Sequence, residues 1–326
     1  MYQYETVKLE KGMYHLTNKN FLQALEEADP SNLYLNSPLS HLDAYERQLK
    51  RFDIHVSGAN CDKVEKFFTT TESAVLFPEF VRRSVMQGME ESILPQITAA
   101  VSRCDSNRYQ GCELADNAVY SVINAGTAMA VSSIVESNSV ITLEKYGRDI
   151  QASYEAVRQQ RLDVFGLMLR RVGRRLADKI TSKAVEVLKT SANNASKITV
   201  VSDAFSYANL AALYGKFTNF NMKTVLASPA TMARILVMQE MIEISSKDVT
   251  EIRLPFGTKL INCPQLDNET ILGIDTDFAL EQIQSSEIVL ETDKLIGRQL
   301  DSITISVNIA FRTLMTDAVK MIALTT

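Results

Sequence analysis

Apolar residues recur at steps of three and four through the middle of the chain: Leu162, Phe165, Leu169, Val172, Leu176, Ile180 and Ala184. That spacing is one face of an α-helix and predicts an unbroken spine helix over Ser153–Lys189. The stretch contains no proline. Ser153 is placed to cap it, Glu155 sits in the first turn, and Ser191-Ala192-Asn193-Asn194 stops it. At 1.5 Å per residue such a helix spans about 55 Å, the length of a structural spine.

Ahead of the spine the pattern changes twice. Residues 1–72 are mixed, with turn signals at Asp29-Pro30-Ser31-Asn32 and Asn36-Ser37-Pro38 and helical spacing over Asn20–Glu27 and Pro38–Phe52. Without a strong core signal they read as an arm that packs on another surface. The apolar run Ala74-Val75-Leu76-Phe77 and Pro78 then open a helix through Met89, and Pro95 breaks the pattern. From Cys104 to Leu143 charge is sparse and β-branched residues dominate, which predicts a long β-hairpin with Ser137-Asn138-Ser139 as its turn. So thin a ribbon has no core of its own, so it is expected to reach another surface.

Behind the spine the chain alternates strands and helices. Strands are expected at Lys197–Val201, Lys223–Ala227, Lys259–Asn262, Thr270–Ile274, Glu287–Leu290 and Ser302–Ala310, with Gly257 and Gly273 at turns. Leu210, Leu213, Tyr214 and Phe217 mark a short helix. Ser228-Pro229 opens another, through Met241, with an N-cap followed by proline at the first helical position.

Composition adds two points. A hydrophobic share of 46% and a charged share of 22% fit a folded chain and argue against bulk disorder. The net charge of −5 is unevenly spread: Lys+Arg against Asp+Glu is 14 against 20 over residues 1–152, 9 against 4 over 153–190 and 11 against 15 over 191–326. The spine is a basic island in an acidic chain.

Little here points to catalysis. His15, His41 and His55 all lie in the arm without a recognisable acid–base partner, and surface or capping roles fit them best. HExxH, a Walker phosphate loop and a GxSxG elbow are absent. Asp275 and Asp277 read as a solvated turn; a metal site there needs further carboxylates. Gly166 and Gly173, inside the spine, fit close packing. Cys61, Cys104, Cys112 and Cys263 show no CxxC spacing and read as free thiols of a reducing cytoplasm, although Cys104 and Cys112 could meet across a hairpin. No signal peptide and no apolar run of about 20 residues is present, so a soluble, unsecreted, non-enzymatic protein without cofactor or metal is expected.

Arg170, Arg171, Arg174 and Arg175 fall on the side of the spine opposite its apolar stripe. Residue types and spacing allow two readings. One is a solvated face paired with acids elsewhere; the other is contact with phosphates.

The order of segments resembles the major capsid proteins of tailed bacteriophages, the Hong Kong 97-type fold. The residues that carry the likeness are Thr142–Ser153 leading into the spine, Val225-Leu226-Ala227-Ser228-Pro229-Ala230-Thr231, Pro255–Cys263 with Gly273-Ile274-Asp275, and the C-terminal Ile303–Leu324 with Arg312 and Ala318. The resemblance implies an α+β fold of N-terminal arm (1–72), peripheral domain (73–103 and 144–196, the latter with the spine helix), extended hairpin loop (104–143), axial α/β domain (197–286) and a peripheral return (287–326). It implies a virion subunit, made in the host cytoplasm, that assembles into hexamers and pentamers of an icosahedral head around double-stranded DNA. Decoration, scaffolding and portal proteins are further partners, and a membrane is not. In that fold the spine lies along the inner side of the shell, which favours genome or scaffold contact for the arginine face. Encapsulin shells share the fold and are the nearest competitor. A metabolic α/β enzyme with a helical lid and a filament or adaptor protein are alternatives from other classes.

Some members of the family remove an N-terminal segment or crosslink a loop lysine to asparagine. The chain here starts at Met1 and no lysine occurs between Lys66 and Lys145, so an uncleaved and uncrosslinked subunit is expected.

Overall fold

The computed structural model describes residues 3–14, 16, 19–115, 122, 124–126, 129, 131–195, 197–242, 251–285, 288–295 and 300–325. His15 and residues 116–121 of the expected hairpin lie outside them. The helices are α1 (Phe21–Ala28), α2 (Ala44–Arg51), α3 (Phe77–Glu90), α4 (Leu94–Ile97), α5 (Tyr154–Gln159), α6 (Leu162–Ala195), α7 (Tyr207–Gly215), α8 (Pro229–Leu236) and α9 (Gln239–Ile242). The first strands are β1 (Ala100–Arg103), β2 (Arg108–Ala115), β3 (Ser133–Thr142), β4 (Glu144–Ser153), β5 (Lys197–Val201) and β6 (Thr224–Ala227). They are followed by β7 (Lys259–Asn262), β8 (Thr270–Ile274), β9 (Leu280–Gln284), β10 (Val289–Leu295), β11 (Leu300–Thr313) and β12 (Val319–Thr325). Among the described residues no helix is long and apolar enough to cross a membrane. The chain divides into two compact units: Met1–Glu91 with Gly147–Ala177 and Ile288–Ser306, and Ser92–Tyr146 with Asp178–Glu287 and Val307–Thr326.

In the first unit the N-terminal stretch carries a core, which corrects the expectation of a coreless arm. Asn20 and Asp43 close capping boxes with Gln23 and Glu46, so the second helix starts at Ala44 and not at Pro38. Arg47 and Asp29 form a fully buried ion pair at 2.6 Å. Asp29 also accepts from the Tyr34 hydroxyl at 2.6 Å, and the Arg47 guanidinium lies over the Tyr34 ring at 4.3 Å. Gln48 Nε2 donates to the Tyr4 carbonyl at 2.8 Å. These partners are up to 44 residues apart, so local periodicity carries no trace of them.

The spine is shorter at its start than the spacing predicts. Ser153 ends β4, α5 follows, and the long helix begins at Leu162. The break has a backbone cause. Val64 N–H donates to the Gln160 carbonyl and Leu162 N–H to the Asp62 carbonyl, each at 2.9 Å, so Arg161 pairs with Lys63 as a short antiparallel bridge and leaves the helical ladder. At the other end the helix runs through Ser191-Ala192-Asn193-Asn194 to Ala195, because Ala192 is fully buried and packing overrides a weak stop signal. Leu162, Phe165, Leu169, Leu176, Ile180 and Ala184 are buried as the stripe predicts, and Val172 is half-buried. Phe165 stacks on Phe77 and Phe80 of α3, with centroids 6.1 and 6.5 Å away.

The second unit holds a five-stranded sheet of order β5-β12-β8-β6-β7. Its central strands β6 and β8 are buried throughout, and Val225, Ala227, Leu260, Ile271 and Ile322 form its core with Leu210 and Leu213 of α7. Ser228 accepts from Thr231 N–H and caps α8, with Pro229 in the first turn. Gly257 sits at a turn with φ +89°, as expected. Gly273 does not: it lies inside β8, where a Cβ would come within 2.7 Å of Met222 Sδ. A glycine inside a strand here marks close packing, not chain reversal. The same unit pairs β9 with β1 in parallel and with the C-terminal half of β11 in antiparallel fashion. The N-terminal half of β11 pairs with β10 in the first unit.

Candidate assembly surfaces

The four arginines of α6 separate into two pairs. Arg170 forms an ion pair with the Glu91 carboxylate, and Arg174 Nη1 donates to the Glu91 carbonyl at 2.6 Å. Glu91 follows the last residue of α3, so its position one turn beyond Gly88 places it beside the arginines. Arg171 and Arg175 are exposed. Spacing places all four on one side; only the packing of α3 decides which of them are tied down.

Next to Arg171 the exposed face of α6 carries Val164, Leu167 and Met168, which are 40%, 59% and 54% accessible. At steps of three and four they continue the line of Arg171 and Arg175. The result is an apolar and basic strip distinct from the buried stripe of the same helix.

The hairpin strands β2 and β3 pair antiparallel, from Arg108 opposite Thr142 to Ala115 opposite Ser133. The expected turn is instead a bulge. Gln110 stands opposite Val140 and Cys112 opposite Glu136, so Ser137, Asn138 and Ser139 together face the single residue Gly111. Ser137 is buried, its hydroxyl donates to the Glu113 carboxylate, and its carbonyl accepts from Gln110 Nε2 at 2.9 Å. The Ser-Asn-Ser signal marks a departure from the ladder, which polar residues with short side chains favour equally at a bulge or a reversal. Ile134 and Val135, on opposite faces of β3, are 76% and 45% exposed. At that level the ribbon exposes apolar side chains on both faces.

Other candidate residues have structural surroundings. His41 and His55 are exposed, and His55 lies 3.4 Å from Asp62. Asp275 is buried and accepts from the backbone N–H of Asn221 at 2.9 Å and of Asp277 at 3.2 Å. Asp277 pairs with Lys223, so the two acids build a turn. No group of three or more His, Cys, Asp or Glu side chains among the described residues is placed to hold a metal. All four cysteines are free. Cys112 faces Glu136 across the hairpin, while Cys104 contacts the Arg108 carbonyl at 3.2 Å, so the two do not meet across the hairpin.

A long helix, a two-stranded β-hairpin and an α/β sheet are the parts of a Hong Kong 97-type fold. The chain belongs to the phage capsid protein family, whose model matches residues 136–318. It is a capsid protein with a structural role in the virion. No curated protein sequence matches it. Among solved structures it is similar to the virus-like particle of Pyrococcus furiosus at 12% identity and TM-score 0.53, over 75% of this chain and 98% of that one. The capsid of cyanophage P-SCSP1u is similar at 12% identity and TM-score 0.54, over 69% and 86%. An encapsulin complex of Synechococcus elongatus is similar at 13% and 0.53, over 71% and 86%. These likenesses concern the fold.

Proposed function

We propose that the chain builds the hexamers and pentamers of an icosahedral phage head that encloses double-stranded DNA. The observation that carries this reading is the hairpin, a two-stranded ribbon with apolar side chains exposed on both faces. Such a ribbon is marginal in water, and ordering it costs roughly 1–2 kcal/mol of backbone entropy per residue. Burial against a neighbouring copy offsets that cost, and repeated head-to-tail contacts close into rings. The proposal keeps a division into arm 1–72, hairpin 104–143, axial unit 197–286, and peripheral segments 73–103, 144–196 and 287–326.

Within the shell, Arg171 and Arg175 face the genome or a scaffolding protein, with Arg170 and Arg174 held by Glu91. The contact is electrostatic and indifferent to sequence. Portal and decoration proteins are further partners. The hairpin carries no lysine, so the shell is held without covalent crosslinks through it. Electron microscopy of the expressed protein tests the reading. Rings or shells are expected, and deletion of residues 110–138 should leave a folded subunit that does not assemble. A chain that stays monomeric under every assembly condition overturns it.

A further inference from the structure

The root of the hairpin is held by a small polar cluster that lies wholly within the second unit. Arg312 on β11 stands directly opposite Glu281 on β9 in the ladder, and its Nε donates to the Glu281 carboxylate. The same carboxylate accepts from the Ser102 hydroxyl of β1 and from the Tyr109 hydroxyl of β2, the latter at 3.0 Å. Arg312 Nη2 reaches on to the Cys112 carbonyl at 3.3 Å, and its guanidinium carbon lies 5.7 Å from the centre of the Tyr109 ring. The guanidinium occupies the space that a side chain at Gly111 would need. Gly111 is the residue opposite which β3 bulges.

Apolar packing alone does not set the direction of the ribbon. Leu143, Ile283 and Ala310 are buried beneath its root, with Tyr109 and Ile141 against them, but apolar contact is non-directional. The guanidinium is planar, with donors fixed in a fork, and one arginine here bonds to Glu281 and to the hairpin backbone at once. Only a residue without a side chain, at position 111, leaves room for it. We propose that Arg312, locked by Glu281 and admitted by Gly111, is a pin that sets the direction in which the hairpin leaves its sheet, and that the bulge at Gly111 is the pivot once the pin is withdrawn. Arg312 is thus a positioning residue for assembly. This consequence rests on the shell reading above; the pin itself does not.

The test uses full-length subunit before assembly, with hydrogen–deuterium exchange read over 108–115 and 133–142 and over the sheet of β5 to β8. Arg312→Gln and Gly111→Ala are each expected to speed exchange at the hairpin root at least tenfold, to leave the sheet unchanged and to lower particle yield. Arg312→Lys, which keeps the charge but not the fork, is expected to resemble Arg312→Gln. Should Arg312→Gln fail to fold, Gly111→Ala decides, since the nearest atoms the added methyl meets are those of the movable end of the Arg312 side chain. Unchanged exchange at the root in a folded variant overturns the pin. Faster exchange with full particle yield overturns its role in assembly. If the wild-type chain forms no particles, the shell reading fails while the exchange still decides the pin.

Discussion

Gly173 of α6 lies against the backbone of Val85 in α3, so closely that a Cβ at position 173 would overlap the Val85 carbonyl. Gly88 of α3 meets the backbone of Arg170 in the same way. The two helices therefore cross in backbone contact, and it is this crossing that brings Glu91 to Arg170 and Arg174. Gly173→Ala should destabilise the chain by about 1–3 kcal/mol in urea unfolding, because overpacking outweighs the helix propensity gained. Gly166→Ala is the control. Its Cβ would find ordinary contacts with Phe80 and Ser84 at 3.6 and 3.7 Å, so a gain of roughly 0.5–1 kcal/mol is expected. Equal behaviour of the two variants would contradict the crossing.

Removing Asp29 from its buried pair with Arg47 leaves the guanidinium, closed off from water, with the half-exposed Glu26 carboxylate 4.0 Å away in its place. Asp29→Ala should cost about 3–5 kcal/mol and open the stretch before α3 to limited proteolysis. Asp53→Asn, which keeps a side chain that tolerates the φ of +52° at this exposed position, removes an ion pair 3.7 Å from Lys66 and should cost under about 1 kcal/mol. Comparable losses at the two sites would show that the N-terminal core is not formed.

The thiols should separate by reactivity. Burial pushes the Cys263 thiol up to about 11, leaving almost no thiolate at neutral pH, and the residue is fully buried. Cys112 is exposed. A disulfide reagent at pH 8 should modify Cys112 rapidly and Cys263 only on unfolding. Early labelling of Cys263 in the native chain, located by peptide mass, is the contrary result.

Burial alone would raise the Glu281 carboxyl, but hydrogen bonds from Ser102, Arg312 and Tyr109 outweigh it and hold the group below its ordinary value. The folded value thus lies under the unfolded one, near 4.3. The stability it contributes is complete above the unfolded value and is lost as pH falls through the folded one. The stability difference between wild type and Glu281→Gln should therefore stay constant from pH 7 to about 5 and shrink only in stronger acid. A difference that already fades between pH 7 and 6 would rule out this ionised partner.

Replacing Arg171 and Arg175 together by glutamate should leave shell assembly intact and reduce retained DNA or incorporated scaffold, with the difference from wild type largest at low salt and shrinking as salt screens the contact. The same change at Arg170 and Arg174 places acids beside Glu91 and should lower subunit stability first. Particle composition by absorbance and gel, with the melting temperature of the subunit, separates the two. No effect of the first pair on content or scaffold would return Arg171 and Arg175 to the status of a solvated face.

The sequence by itself determined what short-range physics can encode. The stripe from Leu162 to Ala184 specifies a helix and its buried face, since the period of 3.6 is written in every turn. Ser228-Pro229 specifies the start of α8, because a cap needs only neighbouring residues. The strands at Lys197–Val201, Lys259–Asn262 and Thr270–Ile274 were likewise readable from β-branched runs with turn signals around them. Tertiary structure decided wherever a residue's role depends on a distant partner. Glycine reads as a turn in both Gly257 and Gly273; only the packing of Met222 against β8 makes the second a contact. Arg161 keeps helical spacing, yet Asp62 and Val64 draw its flanking backbone into a bridge. Ser137-Asn138-Ser139 signals irregularity, and the pairing of Gln110 and Cys112 makes it a bulge. The four arginines share one side of α6 by geometry, while the crossing at Gly88 and Gly173 ties two of them to Glu91 and leaves Arg171 and Arg175 facing solvent.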